Sequence, residues 1–229
     1  MRARALGGTG RVAIVIVAIE TATEMVGVAL ATEAGEPIAH IEVRGGRRHA
    51  ETLCPAIEFL CRQAGVRLSA LTSVAVDVGP GLFTGLRVGV TTAKALAFAH
   101  DVPVIAVGSL EALAAAHARP GERVAAVIDA RRGELYMAQY IDGMAVEAPW
   151  VGRPDEVAAR CRAAAFVVGD GTERYAEAFA GVHTIAASPS AVAVAATAAR
   201  RPTGRTGNAA AVEVVYLRAP DAEINWVKR

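Results

Sequence analysis

The stretch that opens at Asp77 and reads Asp-Val-Gly-Pro-Gly-Leu-Phe-Thr-Gly-Leu-Arg-Val-Gly-Val-Thr-Thr-Ala-Lys-Ala-Leu-Ala-Phe constrains the fold more than any other part of the chain. Residues 74–78 alternate little and are rich in β-branched side chains, so they read as a buried strand. Gly79, Pro80 and Gly81 then break the run with residues that permit or impose unusual dihedrals. A helix is expected over 84–99, with Thr84 as its cap. Gly85, Gly89, Ala93 and Ala97 recur every four residues and make one stripe of small side chains, against which another element can pack very closely. Arg87, Thr91 and Lys94 form the polar line, while Leu86, Val88, Val90, Leu96 and Phe98 spread around most of the remaining circumference. One sheet face cannot cover all of that, so the helix reads as built for contact on more than one side.

With 229 residues, 53% of them hydrophobic, the chain can bury a substantial core. Its 24 basic and 23 acidic residues leave a formal charge of +1, so no bulk positive field draws it to nucleic acid, and any role on RNA needs a partner. Arg44, Arg47, Arg48 and His49 cluster around Gly45 and Gly46, and Arg131 with Arg132 makes a second basic point. Neither is interleaved with aromatics, which favours a solvated charge cluster over base recognition; contact with an acidic partner or RNA phosphate is the sharper alternative. Cys54, Cys61 and Cys161 lack metal-pair spacing and read as small buried hydrophobes in a reducing compartment. Arg2, Arg4 and Arg11 before the apolar run 12–19 superficially resemble a secretory leader, but the run is short and Glu20 interrupts it, so it reads as a strand. Nothing reads as spanning a membrane.

Residues 1–10 read as a loose tail, followed by strands over 12–19, 25–31 and 37–44. A helix over 49–64 sets Leu53, Ile57, Leu60 and Ala64 on one face and ends at Gly65, placed for a left-handed cap. Then come the strand at 74–78, the helix at 84–99, a strand at 103–107 and a helix capped by Ser109, giving the order βββαβαβα. After Arg119-Pro-Gly the pattern partly restarts, with strands near 123–129, 134–141 and 145–150 and a helix from Pro154, where proline suits a first turn. A strand at 166–168, helices near 173–180 and 188–200, a mobile loop at 201–208 and a late strand at 212–217 complete it. The chain therefore divides into a tail (1–10), an N-terminal half (11–118) and a shortened C-terminal half (119–229).

Little in the sequence reads as a site for chemistry. The 79–85 turn lacks the Gly-Lys-Ser/Thr ending of a phosphate loop, Thr84 occupies the place where a dinucleotide fingerprint needs glycine, and Pro80 removes an amide donor. The loop Glu20-Thr21-Ala22-Thr23 contains no glycine, so side-chain carbons stand where amides would have to approach phosphate. His40, His49, His100, His117 and His183 are scattered, no hydrolytic triad can be assigned, and His49 and Cys54, five apart on one helix, do not face each other. No catalytic residue and no metal ligand is expected.

Four blocks in order, Arg48-His-Ala-Glu-Thr-Leu-Cys-Pro, Gly79-Pro-Gly-Leu-Phe-Thr-Gly-Leu-Arg, Asp129-Ala-Arg-Arg-Gly-Glu-Leu-Tyr and Val215-Tyr-Leu-Arg, closely resemble the bacterial TsaB family across residues 12–218. The resemblance implies an α/β fold of the actin, sugar-kinase and Hsp70-like superfamily with two related halves. It also implies a cytoplasmic, non-catalytic dimerisation subunit for threonylcarbamoylation of the adenosine next to the anticodon in transfer RNA. Such a subunit is an inactive relative of the catalytic TsaD, supports it together with a TsaE-like ATPase, and meets transfer RNA only through the complex. Helices 49–64 and 84–99 would then pair with a second copy or with the TsaD-like subunit. The residues expected at that interface are His49, Leu53, Ile57, Leu60, Gly85, Leu86, Gly89, Val90, Ala93, Lys94 and Ala97. Glu20, Thr21, Ala22 and Thr23 match the superfamily's nucleotide loop in vestigial form; Glu20 departs from the aspartate usual in TsaB-like sequences. TsaD-like relatives carry two histidines four apart on a helix, whereas here His49 is followed by Leu53. The chain is thus expected to hold no cofactor of its own, with ATP or ADP and a metal on partner subunits or at a subunit boundary. An independent small-molecule kinase or ATPase of the same superfamily, and a stand-alone homodimeric binding protein, are the contrasting readings.

Overall fold

The computed structural model describes residues 15–46, 48–201 and 209–218. The expected tail, positions 12–14 of the first strand, Arg47 of the basic cluster and 202–208 of the expected mobile loop lie outside the described residues. The first half runs β1 (Val15–Glu20), β2 (Met25–Thr32), β3 (Pro37–Arg44), α1 (His49–Ala64), β4 (Leu71–Asp77), α2 (Phe83–His100), β5 (Val104–Val107) and α3 (Ser109–Ala115). These strands form a sheet ordered β3-β2-β1-β4-β5, antiparallel between β1 and β2 and parallel from β1 to β4 and β5. The second half repeats the order with β6 (Arg123–Arg131), β7 (Glu134–Ile141), β8 (Met144–Gly152), α4 (Pro154–Cys161), β9 (Phe166–Val168), α5 (Asp170–Arg174), β10 (Thr184–Ile185) and α6 (Ala191–Ala199). Its sheet, β10-β9-β6-β7-β8, has the same topology, so the fold is the duplicated actin, sugar-kinase and Hsp70-like arrangement. The shortening falls on β9, α5 and β10, of three, five and two residues.

β1 is buried along its whole length because it is covered on both faces, which explains its unbroken apolar run. Val15, Val17 and Ile19 point to the layer of α1 and α2, while Ile16 and Ala18 point to α6. The two halves exchange a helix. Leu110, Leu113 and Ala114 of α3 pack against Val124, Ala126 and Ile128 of the second sheet, and Ala191, Val194 and Ala195 of α6 pack against the first. We propose 118/119 as the boundary of the sequence repeat; the cores interleave across it.

Gly65 closes α1 in the left-handed region, at φ 66°, as its position implied. Other local expectations need correction. α2 begins one residue before Thr84, with no side-chain cap at Leu82; instead the Leu82 amide donates to Ala22 O at 2.7 Å. Ser109 is the first residue of α3 rather than its cap, because its hydroxyl is spent on Asp77. The helix expected near 173–180 is the short α5 followed by turns, and the last helix starts at Ala191, where Ser190 Oγ accepts from the Ala193 amide at 3.2 Å. Residues 212–217 form no strand. They run as an extended strap whose Val215 amide donates to Val78 O at 2.8 Å.

Candidate functional site

The loop 20–23 leaves the end of β1 and turns under the entrance of α2. Glu20, Thr21 and Ala22 are almost fully buried, and Thr23 nearly so. The Ala22 amide donates to Glu20 Oε1 at 2.7 Å, and His49 Nε2, at the start of α1, lies 2.8 Å from Thr23 O. Gly85 and Gly89 on α2, with Gly81 just before it, form the seat of this loop. A Cβ at Gly85 would stand 2.1 Å from Thr21 O, one at Gly89 2.2 Å from Thr21 Oγ1, and one at Gly81 2.3 Å from Ala22 O. The loop therefore does not fit a nucleotide phosphate: its side chains are buried against α1 and α2, and the Ala22 amide is already bonded.

At the carboxyl ends of the parallel β1 and β4, Glu20 and Asp77 are both fully buried. Asp77 Oδ1 accepts from the Gly79 amide at 2.7 Å and from Ser109 Oγ at 2.5 Å, and its Oδ2 is buried without a hydrogen-bond partner among the described residues. Burial pushes the Asp77 carboxyl up to about 7, against the pull of Ser109 and Gly79. Burial, reinforced by Asp77, holds Glu20 well above the usual carboxylate range. The sequence reading does not single out Asp77 and Ser109 as a buried polar pair. The available signal was one acid ending an otherwise apolar strand, beside a turn that needs its amide held.

The structure places most of the expected interface residues inside the chain. Of the eleven, His49, Leu53, Ile57, Leu60, Gly85, Leu86, Gly89, Val90, Ala93 and Ala97 are buried inside the chain, and only Lys94 is partly open. They carry the fold and have little surface to offer. What α1 and α2 present outward is a different set: Glu51, Cys54, Glu58 and Phe59 on α1, and Thr84, Arg87, Thr91, Ala95 and Phe98 on α2. Phe98 is 90% exposed and Phe59 45%.

The strap lies along the polar line of α2. Val212 enters the core, Lys94 Nζ donates to Ala210 O at 3.2 Å, and Arg87 Nε donates to Tyr216 OH at 3.1 Å. The Arg87 guanidinium lies 3.9 Å over the Phe83 ring, which meets Tyr216 at 5.1 Å, and Arg218 reaches Glu134 at 2.9 Å. Between strap and helix is an open cavity of about 300 Å³, lined by Arg87, Val90, Thr91, Lys94, Val212, Glu213, Val214 and Tyr216. Of the basic clusters, Arg131 is engaged at the β6–β7 turn with Glu24 at 2.7 Å and Asp129 at 3.4 Å. Among the described residues no three His, Cys, Asp or Glu side chains group as metal ligands, and no helix is long and apolar enough to cross a membrane.

A family model described as TsaD, tRNA N6-adenosine threonylcarbamoyltransferase, matches residues 36–152, just over half of the chain. The tRNA threonylcarbamoyladenosine biosynthesis protein TsaB of Haemophilus influenzae is 38% identical over 130 residues, 56% of this chain and 54% of that protein. Its Escherichia coli counterpart is 39% identical over 127 residues, 55% of this chain and 54% of that protein. The chain thus spans about half the length of the curated relatives it matches. YeaZ from Pseudomonas aeruginosa superposes with a TM-score of 0.76 at 35% identity, over 89% of this chain and 100% of that one. Component A of the Acidaminococcus fermentans (R)-2-hydroxyglutaryl-CoA dehydratase, 10% identical with a TM-score of 0.50 over 81% of this chain and 96% of that one, shares the fold alone. The sequence blocks around Arg48, Gly79 and Asp129, the duplicated topology and the superposition over 89% of the chain together show that the chain belongs to the TsaB (YeaZ) family.

Proposed function

We propose that the chain is a non-catalytic subunit of the machinery that makes threonylcarbamoyladenosine in transfer RNA, binding and supporting a TsaD-like catalytic subunit alongside a TsaE-like ATPase. The carrying observation is the sealing of loop 20–23 by α1 and α2, which fills with the chain's own atoms the place where a nucleotide's phosphates would approach. What the helices present instead is an outward face on which Phe59 and Phe98 are exposed, and this reading takes the two rings as contacts for the catalytic subunit. On this reading nucleotide and metal belong to partner subunits or to a subunit boundary, transfer RNA is met by the assembled complex, and the work is done in the cytoplasm.

The test is reconstitution. The chain is mixed with TsaD-like and TsaE-like proteins, ATP, a threonylcarbamoyl donor and unmodified transfer RNA, and each component is omitted in turn. Modification should require this chain, and the isolated chain should neither bind nor turn over ATP at micromolar concentration. Modification without the chain, or ATP turnover by the chain alone, would contradict the proposal.

A further inference from the structure

The third and fourth sequence blocks, opening at Asp129 and Val215, meet in space. The β6–β7 hairpin pairs Arg131 with Glu134 across a two-residue loop of Arg132 and Gly133. Each end of that turn holds a different segment packed on the first half. Arg131 Nη2 lies 2.7 Å from Glu24 Oε1, just beyond the sealed loop 20–23, and Glu134 Oε2 lies 2.9 Å from Arg218 Nη1 at the end of the strap. One turn of the second half thus holds the loop with a cation and the strap with an anion.

The turn takes a backbone that arginine does not favour. Arg131, Arg132 and Gly133 stand in succession in the left-handed region, at φ 63°, 57° and 78°, where hairpins with such short loops prefer asparagine, aspartate or glycine. Asp129, with its side chain 6% exposed, braces Arg131 there: its Oδ1 accepts from the Arg131 amide at 2.9 Å, and its Oδ2 lies 3.4 Å from the Arg131 guanidinium. Asp129 is steadied in turn by Arg174 Nε at 3.2 Å and by its own amide, which donates to Asp170 Oδ1 at 2.9 Å. An unfavoured backbone persists only where its surroundings over-determine it, and these surroundings set Arg131 against Glu24.

The strap has a matching construction. Val212 and Val214 pack in the first core, the Val215 amide donates to Val78 O at 2.8 Å, and Leu217, one residue before Arg218, packs in the second core. Its Ala210 O and Tyr216 OH hold Lys94 and Arg87 of α2. We propose that the β6–β7 turn is a charge latch between the halves, closing on the loop exit and the strap together, so that the strap's cover on Arg87 and Lys94 depends on a contact made at Glu24. Both ion pairs are partly open to solvent, so each is weak alone and weakened further by salt. Sharing one braced turn makes them open as a unit.

Hydrogen exchange of single amides, followed by NMR on the full chain, tests the latch. Among the described residues Glu24 makes no ion pair with the strap; its cation is Arg131. Glu24→Gln should nevertheless speed exchange of the Val215 amide about two- to fivefold, the size an exposed ion pair gives. Glu134→Gln should do the same, and should also speed the Leu82 amide, which donates to Ala22 O in the loop. In E24Q/E134Q the rise should fall well short of the product of the two single effects, because breaking either pair opens both. Salt at about 1 M, where the screening length is about 3 Å, should speed both amides in the wild type and leave the double variant unchanged. A Val215 amide unmoved by E24Q, or single effects that multiply in the double variant, would show two independent surface bridges and overturn the proposal. A latch that behaves as described in a chain supporting no transfer RNA modification would leave this inference standing and overturn the proposed function.

Discussion

Gly89 and Thr21 compete for one space: a Cβ on Gly89 would lie 2.2 Å from Thr21 Oγ1, and four residues earlier a Cβ on Gly85 would lie 2.1 Å from Thr21 O. The two glycines of the stripe on α2 leave room for the loop leaving β1 to pass beneath the helix, while Ala93 and Ala97 pack into the core. The loop is thereby buried against α1 and α2, and what those helices present outward is a different set of side chains.

Gly89→Ala should therefore destabilise the chain by about 1–3 kcal/mol through overpacking. Thr21→Ala should recover much of that loss, because the Thr21 Cβ is already at an ordinary 3.5 Å from the introduced methyl position. Gly85→Ala should not be recovered by the same change, since it meets a backbone oxygen. Denaturant midpoints for the singles and doubles form the cycle.

A second prediction concerns pH. The Asp77 carboxyl is pushed up to about 7 in the folded chain from an ordinary value of 3.8. Below about pH 4 it is protonated in both states. Between about 4 and 7 the folded chain keeps a proton that the unfolded chain has released, so this group's contribution to stability falls as pH rises through that window and levels off above it. Glu20, also held high, acts in the same direction. Asp77→Asn retains an acceptor for the Gly79 amide and Ser109 Oγ without the titration. The difference in unfolding free energy between the variant and wild type should grow in the variant's favour from pH 5 to pH 8, by an amount of the order of a few kcal/mol. A difference independent of pH would show that Asp77 is already ionised across the range.

The element order and the duplication were legible in the sequence because they rest on periodicity and turn chemistry: α1 runs from His49 to Ala64 and ends at Gly65, and Pro154 opens α4. The stripe on α2 was legible as a demand for close contact, but a spacing of four cannot say whose atoms answer it. Here the answer is Thr21, more than sixty positions back in the chain. Residues 212–217 read as a strand because they are rich in β-branched and aromatic side chains, yet their main contacts are with α2 and the end of β4. The exchange of α3 and α6 between the sheets leaves no local trace, since an apolar helix face is the same whichever sheet it meets.

The three thiols should separate cleanly. Cys54 is exposed on α1, whereas Cys61 and Cys161 are buried, with burial pushing Cys61 upward and Cys161 to about 12. A thiol reagent at pH 8 should label one cysteine rapidly in the native chain and all three after denaturation, and Cys54→Ser should abolish the rapid phase. Two rapid phases would contradict the packing of α1 or α4.

The central claim is that the outward residues of α1 and α2, and not their buried stripe, bind the TsaD-like subunit. Titration calorimetry between this chain and that subunit tests it most directly, using Phe59→Asp/Phe98→Asp with the melting temperature as a control. The account predicts that binding weakens at least tenfold while the melting temperature stays within a few degrees of wild type, both rings being substantially exposed. Undiminished binding by the doubly substituted, fully folded chain would contradict it.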